Sequence, residues 1–189
     1  GQGAIALGGG ATTGATTANG TGAIAIGGYG DNTAVGAKSN ADYAVAIGSG
    51  STTAGINAIA VGKAANATGL DTIAIGQLAQ ANNTSGIAIG KGAQATAAQA
   101  ISIGTGNVVS GANAGAIGDP SYVSGAGTYT IGNNNGTAAA PVAATESGAF
   151  GNNNALPTAS TTGIRVIGNS NTVNSSNVMV MGNSVTVGA

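Results

Sequence analysis

The sequence predicts an all-β fold, a parallel β-solenoid built from coils of about 14 residues. Three observations lead to this prediction. A short apolar–any–apolar–Gly motif recurs at a fixed spacing, and a second alternating segment follows each copy. The 189 residues include 36 glycines but only four tyrosines, one phenylalanine and no tryptophan. Because aromatic side chains supply much of the buried area of an ordinary core, Ala, Ile and Val must form this one.

The recurring motif marks one strand in each coil. From Gly48 to Gly132 the marker glycines are 14 residues apart six times in succession. Self-similarity at a fixed period is typical of stacked repeat folds. The clearest copies of the motif are Ile5-Ala6-Leu7-Gly8, Ile24-Ala25-Ile26-Gly27, Val45-Ala46-Ile47-Gly48, Ile59-Ala60-Val61-Gly62, Ile73-Ala74-Ile75-Gly76, Ile87-Ala88-Ile89-Gly90 and Ile101-Ser102-Ile103-Gly104.

A second strand follows each marker glycine. The third and fifth residues after Gly62 are Ala65 and Ala67, and the same pattern recurs in the next two coils. Alternation with period 2 predicts a strand. Neither strand has a partner inside its own coil, so we expect each to pair in parallel and in register with the next coil. The glycines and the Asn-rich segments between strands predict tight corners with positive φ.

The two sets of residues in the motif suggest two ladders along the stack. We expect the large apolar residues to form the core ladder, which consists of Ile24, Ile26, Val45, Ile47, Ile59, Val61, Ile73, Ile75, Ile87, Ile89, Ile101 and Ile103. The small residue between them then lies on the opposite face, which carries no charge. This face is predicted to pack against other subunits, through Ala46, Ala60, Ala74, Ala88, Val166 and Val180. A plain exposed face is the alternative.

The composition excludes several classes of function. Charged residues are 5% of the chain, against about 25% in an average protein, and no basic stripe is available to bind nucleic acid or an anionic membrane surface. No apolar run is long enough for membrane insertion. His and Cys are absent and the acidic residues are scattered, so we expect no enzyme, no metal site and no cofactor. A single Gly-rich loop at 27–31 supplies too few oxygen ligands for calcium.

These motifs resemble the YadA-like heads of trimeric autotransporter adhesins. The resemblance is carried by Ala44-Val45-Ala46-Ile47-Gly48, by Ala58-Ile59-Ala60-Val61-Gly62 and by the Lys63-Ala64-Ala65-Asn66-Ala67 that follows. It is strong over 23–132, and weaker over 1–22 and 133–189, where coils are degenerate and carry insertions. The resemblance implies one head domain over 1–189, a left-handed parallel β-roll and a homotrimer.

The resemblance also implies a function and a location. It implies attachment to host cells and matrix proteins such as collagen, fibronectin or laminin, or to abiotic surfaces, with roles in virulence and biofilms. Because the sequence starts with Gly1, we expect a piece of a longer protein that is displayed on the bacterial cell surface and anchored to the outer membrane by a C-terminal region. A structural spacer of the fibre is one alternative. An ice-binding solenoid is another, but it needs a regular Thr ladder.

Insertions that break the 14-residue spacing are the candidate ligand-binding loops. The steps from Gly8 to Gly27 and from Gly132 to Gly151 are 19 residues long, and that from Gly151 to Gly168 is 17. Loops are where solenoids often bind partners. The candidate loops are 9–22, 136–147 and 155–163, and the candidate ligand-binding residues are Thr16, Asn19, Thr137, Glu146, Thr158 and Thr161.

Arg165 is an irregularity, since it stands where the motif has an apolar residue. We expect either a bulged or shifted strand or an ion pair with an acidic residue such as Glu146.

Overall fold

A computed structural model describes residues 1–8, 14–28 and 35–188. All regular structure in these ranges consists of β-strands of two or three residues. The chain forms two compact units, Gly1–Ala93 and Gln94–Ala189. In both units a coil contributes one three-residue strand and, in most coils, one two-residue strand, and successive coils pair in parallel. The predicted parallel β-solenoid of 14-residue coils is confirmed.

In the first unit the strands of successive coils pair like on like. Ile59 lies opposite Ile73 and Ala60 opposite Ala74, so the predicted register is confirmed. The odd-numbered strands form one parallel sheet and the even-numbered strands form another. The strands are β1 (Ile5–Leu7), β2 (Thr17–Ala18), β3 (Ile24–Ile26), β4 (Lys38–Ser39), β5 (Val45–Ile47), β6 (Thr52–Thr53), β7 (Ile59–Val61), β8 (Asn66–Ala67), β9 (Ile73–Ile75), β10 (Gln80–Ala81) and β11 (Ile87–Ile89).

The second unit continues the same pattern and then departs from it. Its strands are β12 (Gln94–Ala95), β13 (Ile101–Ile103), β14 (Val108–Val109), β15 (Gly115–Ile117), β16 (Tyr122–Val123), β17 (Tyr129–Ile131), β18 (Gly148–Phe150), β19 (Arg165–Ile167), β20 (Thr172–Val173), β21 (Met179–Met181) and β22 (Thr186–Val187). The three-residue strands form one parallel sheet in coil order. On the other side, β12, β14 and β16 form a sheet, β20 pairs with β22, and single bridges such as Val123 to Val142 replace regular strands between them.

The core lies on the alanine side of the motif, so the predicted core ladder is wrong. The central residue of each three-residue strand points into the coil, and Ala60 and Ala74 are fully buried. Across the interior they face alanines of the second strands, such as Ala65 and Ala67, which are also fully buried. Because two strands of one coil lie this close, only small side chains fit between them. The outward residues, half-buried or exposed, are Ile24, Ile26, Val45, Ile47, Ile59, Val61, Ile73, Ile75, Ile87, Ile89, Ile101 and Ile103.

The predicted subunit interface is wrong for the same reason. Its residues lie inside their own coils, where no other chain could contact them. Five of the six have no exposed surface and Val180 has 5%. The six residues are Ala46, Ala60, Ala74, Ala88, Val166 and Val180. Alternation along a strand always puts one set inward and the other outward, and the width of the coil decides which set is which.

The interior of the second unit holds larger side chains than that of the first. Val109, Val123 and Val142 are buried there, and the insertions supply Leu156 and Ile164, which are fully buried. Parts of the insertions therefore enter the stack rather than leaving it as loops. The prediction that the insertions form binding loops is therefore wrong for these parts, because their apolar side chains fill the coil interior.

Arg165 lies in a regular strand. β19 pairs in register with β18 and β21, with Arg165 opposite Gly148 and Met179, so the predicted bulge or shift is wrong. Its side chain is exposed and its guanidinium Nη1 donates to the main-chain carbonyls of Glu146, at 2.7 Å, and Ile164, at 3.0 Å. The contact with Glu146 is therefore to the backbone and not to the carboxylate.

The marker glycines are required by backbone conformation and by space. From Gly48 onward they have φ between 120° and 152°, a region that residues with a side chain rarely adopt. A Cβ atom on Gly118 would lie 2.1 Å from the carbonyl oxygen of Gly132 in the next coil. The predicted positive φ at the corners is confirmed.

Candidate functional site

A ladder of buried asparagines lines one corner of the second unit. Each side-chain amide makes two hydrogen bonds to the backbone of the next coil. The Nδ2 group of Asn154 donates to the carbonyl of Gly168 at 2.9 Å, and its Oδ1 accepts from the main-chain N–H of Asn171 at 3.1 Å. Asn135 and Asn171 make equivalent bonds. These amides satisfy polar backbone groups that would otherwise be buried without a partner.

A second ladder runs along the exposed side of the same corner. The main-chain N–H of Asn133 donates to Oδ1 of Asn152 at 2.8 Å. The N–H of Asn152 donates to Asn169 at 2.9 Å, and that of Asn169 donates to Asn183 at 2.8 Å. The side chains in both ladders are therefore engaged in holding the coils together.

Two asparagines between these ladders have side chains that take no part in the hydrogen bonds between coils. Asn134 and Asn153 are the middle residues of two Asn triplets, both are exposed, and both have φ of 57°. Asn153 lies one coil beyond Asn134, since its main-chain N–H donates to the carbonyl of Asn133 at 3.0 Å. Within the described part of the chain neither side-chain amide has a hydrogen-bond partner. Their donors and acceptors are free to bind a ligand.

A groove lies beside these two asparagines, under the loop of 137–140. The main-chain N–H of Thr137 donates to the carbonyl of Ala140 at 2.9 Å, and the N–H of Ala140 donates to Oγ1 of Thr137 at 3.0 Å, which closes the loop. The groove has a volume of about 530 Å³, within the range of about 300–1,000 Å³ typical of small-molecule sites. It is lined by Pro120, Tyr122, Asn134, Gly136, Thr137, Ala138, Ala140, Asn153, Asn154 and Ala155. We call it the corner groove.

Of the predicted ligand-binding residues, the structure brings Thr137 to the corner groove and puts others elsewhere. Thr158 and Thr161 contact each other, with Oγ1 of Thr161 donating to the carbonyl of Thr158 at 2.6 Å. Thr161 is only 6% exposed, so it is a poor ligand-binding residue and holds the 155–163 insertion together. Glu146 is exposed and its carbonyl binds Arg165.

The two candidates in the first unit also have structural contacts. Oγ1 of Thr16 donates to the carbonyl of Gly27, and the Nδ2 group of Asn19 donates to Oδ1 of Asn40 at 3.0 Å. Part of their predicted loop, residues 9–13, lies outside the described ranges, as do residues 29–31 of the Gly-rich loop.

The sequence prediction missed Tyr122, Asn134 and Asn153. The sequence predicts the Asn triplets only as corner residues, although the side chains at their middle positions make no hydrogen bond within the described coils. Tyr122 had a usable signal, since it is an aromatic residue at a position where the preceding coils carry Val108, Gln94 and Gln80.

The outward face of the three-residue strands is apolar in both units. In the first unit it includes Ile5 and Leu7, which are 54% and 64% exposed. In the second unit the exposed members are Ile117, Tyr129, Ile131, Phe150, Ile167, Met179 and Met181. Contiguous exposed apolar patches mark interaction surfaces. We call this surface the outward apolar face.

Comparison with known families assigns the repeats. Five overlapping segments match the model of the YadA head domain repeat, namely 33–51, 39–65, 54–79, 67–93 and 81–107. Residues 33–107 carry the repeats of a YadA-like head domain. The YadA-like head belongs to trimeric autotransporter adhesins, a family that acts at the bacterial surface. No curated protein matches the chain significantly.

Residues 1–8, 14–28 and 35–188 contain no group of three or more His, Cys, Asp or Glu side chains able to hold a metal ion. In the same ranges no helix has the length and hydrophobicity needed to cross a membrane.

Proposed function

We propose that this YadA-like head is the adhesive head of a homotrimeric surface fibre and that it attaches bacteria to matrix proteins, host cells or abiotic surfaces. The phased series of head repeats over 33–107 carries the proposal. Three chains per fibre and many fibres per cell would provide avidity even where each contact is weak.

The outward apolar face supports assembly into a trimer. A coil lined by alanine buries little apolar area for each ordered residue, while its isoleucines stay partly in water. Packing three such faces together would remove them from water at about 25 cal/mol for each Å² buried. The only cation within β13–β21 on this face is Arg165, so little charge opposes burial.

The corner groove supports ligand binding by the assembled head. Tyr122 points outward from β16, whereas the outward apolar face belongs to the opposite sheet of the same coils. A trimer joined through the apolar face would therefore leave the groove open to solvent. Attachment through the corner groove and assembly through the apolar face use separate surfaces of the second unit.

The two alternatives have less support. The outward positions of the second strands in the first unit read Thr17, Lys38, Thr52, Asn66 and Gln80, which is not the regular Thr ladder of an ice-binding surface. A structural spacer does not require the exposed loop at 137–140, nor two asparagine side chains beside it that lack hydrogen-bond partners.

Adhesion is tested with the full 189-residue chain coupled to beads. Beads are applied to immobilised collagen, fibronectin and laminin and to bare glass and polystyrene, with an unrelated protein of similar charge as the control. We expect retention on at least one of these surfaces and reduced retention when 137–140 is replaced by a two-residue turn. Retention no higher than the control on every surface would overturn the adhesive function in favour of a spacer.

A further inference from the structure

We propose that the corner groove binds an uncharged saccharide unit. The inference names a ligand class for the proposed adhesive head and rests on that function for its biological role, but the groove can be tested without any adhesion assay.

The polar side of the groove suits hydroxyl groups. A primary amide offers two donors and one acceptor oxygen, and each hydroxyl of a sugar both donates and accepts. Asn134 and Asn153 present two such amides on neighbouring coils, about 4.8 Å apart along the stack. The side-chain amides of the other asparagines at this corner form the hydrogen bonds of the two ladders. The amides of Asn134 and Asn153 are therefore available to bind a ligand.

The remaining wall supplies apolar contact and further hydrogen bonds. Tyr122 is half-buried, and its hydroxyl has no partner within the described ranges. Pro120, Ala138 and Ala140 add apolar surface beside it. The hydroxyl of Thr137 accepts from Ala140, which leaves its own hydrogen free to donate. An aromatic ring beside amides and hydroxyls matches a ligand that has both C–H faces and hydroxyl edges.

The charges of the groove favour a neutral ligand. None of its lining residues is charged. The nearest acid in sequence, Asp119, accepts a hydrogen bond from the main-chain N–H of Thr105, and no cation lines the groove to bind a sulfate, phosphate or sialic acid carboxylate. Burying such an anion without a partner would be strongly unfavourable.

The backbone around the groove argues against an extended peptide that adds a strand. Tyr122 donates its N–H to the carbonyl of Asn135 at 3.0 Å and accepts at its own carbonyl from Val142 at 2.8 Å. Gly136 donates to the carbonyl of Asn154 at 3.0 Å. Recognition by strand addition needs unpaired edge groups, and these are paired.

The test is a titration of the full chain, followed by NMR, with neutral oligosaccharides of glucose, galactose and N-acetylglucosamine and with a sialylated oligosaccharide and a proline-rich peptide as further probes. We expect at least one neutral saccharide to shift the resonances of Tyr122, Asn134 and Asn153. Asn134→Gly and Asn153→Gly remove the amides at positions where glycine tolerates the positive φ, and together they should weaken binding about tenfold or more. Tyr122→Ala should abolish binding. Tyr122→Phe keeps the ring and removes the hydroxyl, so it separates the contributions of these two groups to binding.

Asn113→Gly is the matched control. Asn113 is exposed, has φ of 54° and lies outside the groove, so its loss should leave binding unchanged. Unchanged melting temperatures exclude misfolding of the variants. The proposal is overturned if no neutral saccharide binds, if the variants bind as the parent does, or if only the sialylated probe or the peptide shifts these residues. Failure here with retained bead adhesion removes the saccharide inference alone, whereas saccharide binding without bead adhesion removes the adhesive function alone.

Discussion

At the scale of single residues, the buried threonine hydroxyls of the coil interior differ in whether they have a hydrogen-bond partner. Oγ1 of Thr130 points into the interior and has no hydrogen-bond partner, while Thr130 is 1% exposed. Thr128, two residues earlier, is also buried, but its hydroxyl donates to the carbonyl of Ala144 at 2.6 Å and accepts from the N–H of Ser147 at 3.0 Å. The same residue type is thus satisfied at one position and unsatisfied at the other.

We therefore expect Thr130→Val to stabilise the fold. It keeps the shape of the side chain and removes the unsatisfied hydroxyl, which should raise the free energy of unfolding by about 1 kcal/mol. Thr128→Val is the matched control and should lower it by about 2 kcal/mol, because two bonds are lost. Both values are measured by urea denaturation. Destabilisation by Thr130→Val equal to that of the control would mean that the hydroxyl has a partner.

The glycines of a coil are not equivalent. Gly118 has φ of 136° and its Cβ would collide with the carbonyl of Gly132. Gly106 has φ of 70°, and its nearest neighbour would be Cβ of Pro120 at 3.7 Å. Ala64 and Leu78, at the corresponding position of other coils, adopt similar φ values of 56° and 61°.

Gly118→Ala should consequently destabilise the fold by about 3 kcal/mol or more, from strain and from the collision. Gly106→Ala should cost only about 1–2 kcal/mol, since left-handed backbone is its only penalty. Thermal unfolding followed by circular dichroism compares the two. Equal costs would contradict the assigned role of the marker glycine.

At the scale of elements, the corner ladders of the second unit continue through the coils in which the second strands shrink to single bridges. In those coils the buried amides add hydrogen bonds between neighbouring coils beside the single bridges. The exposed ladder at the same corner has a similar pattern of bonds but lies in water. Comparing the two separates the effect of burial from the effect of hydrogen-bond geometry.

We expect Asn154→Ala to cost about 3 kcal/mol or more in the free energy of unfolding. The change leaves the carbonyl of Gly168 and the N–H of Asn171 buried without these partners, at about 1–3 kcal/mol for each group. Asn152→Ala in the exposed ladder of the same coil should cost about 1 kcal/mol or less, because water replaces the amide. Chemical denaturation of both variants measures the difference, and an equal cost would refute the role of burial.

At the scale of the whole molecule, a coil lined by alanine leaves its large apolar residues outside. We propose that this face packs against the other two copies of the chain in a homotrimer. The outward face of the second strands in the first unit carries Lys38 and Gln80 instead, so it suits water. An added charge should therefore affect the trimer differently on the two faces.

Ile59→Lys should break the trimer without changing the coil interior, because the charge would be buried between subunits. Gln80→Lys, outward on the other sheet of the same unit, should leave the trimer intact. Sedimentation equilibrium measures the mass of each variant. A stable monomer for the parent chain would contradict the trimer, as would a trimer that tolerates Ile59→Lys.

The sequence by itself determined the repeat, the strand positions, the parallel register and the need for glycine at the corners. Each of these follows from spacing and from local backbone conformation. Residues 48–132 were therefore predictable almost coil by coil. The YadA-like family was also accessible at this level, because phased motifs carry it.

Only the tertiary structure decided which side of the strand is inside. Alternation is symmetric, so Ile59 and Ala60 are equally good candidates for the core until the distance between the two strands of a coil is known. That distance admits alanine and turns isoleucine outward. The same applies to the corner groove, since Tyr122, Asn134 and Asn153 belong to successive coils and line one groove only where these coils stack beside the 137–140 loop.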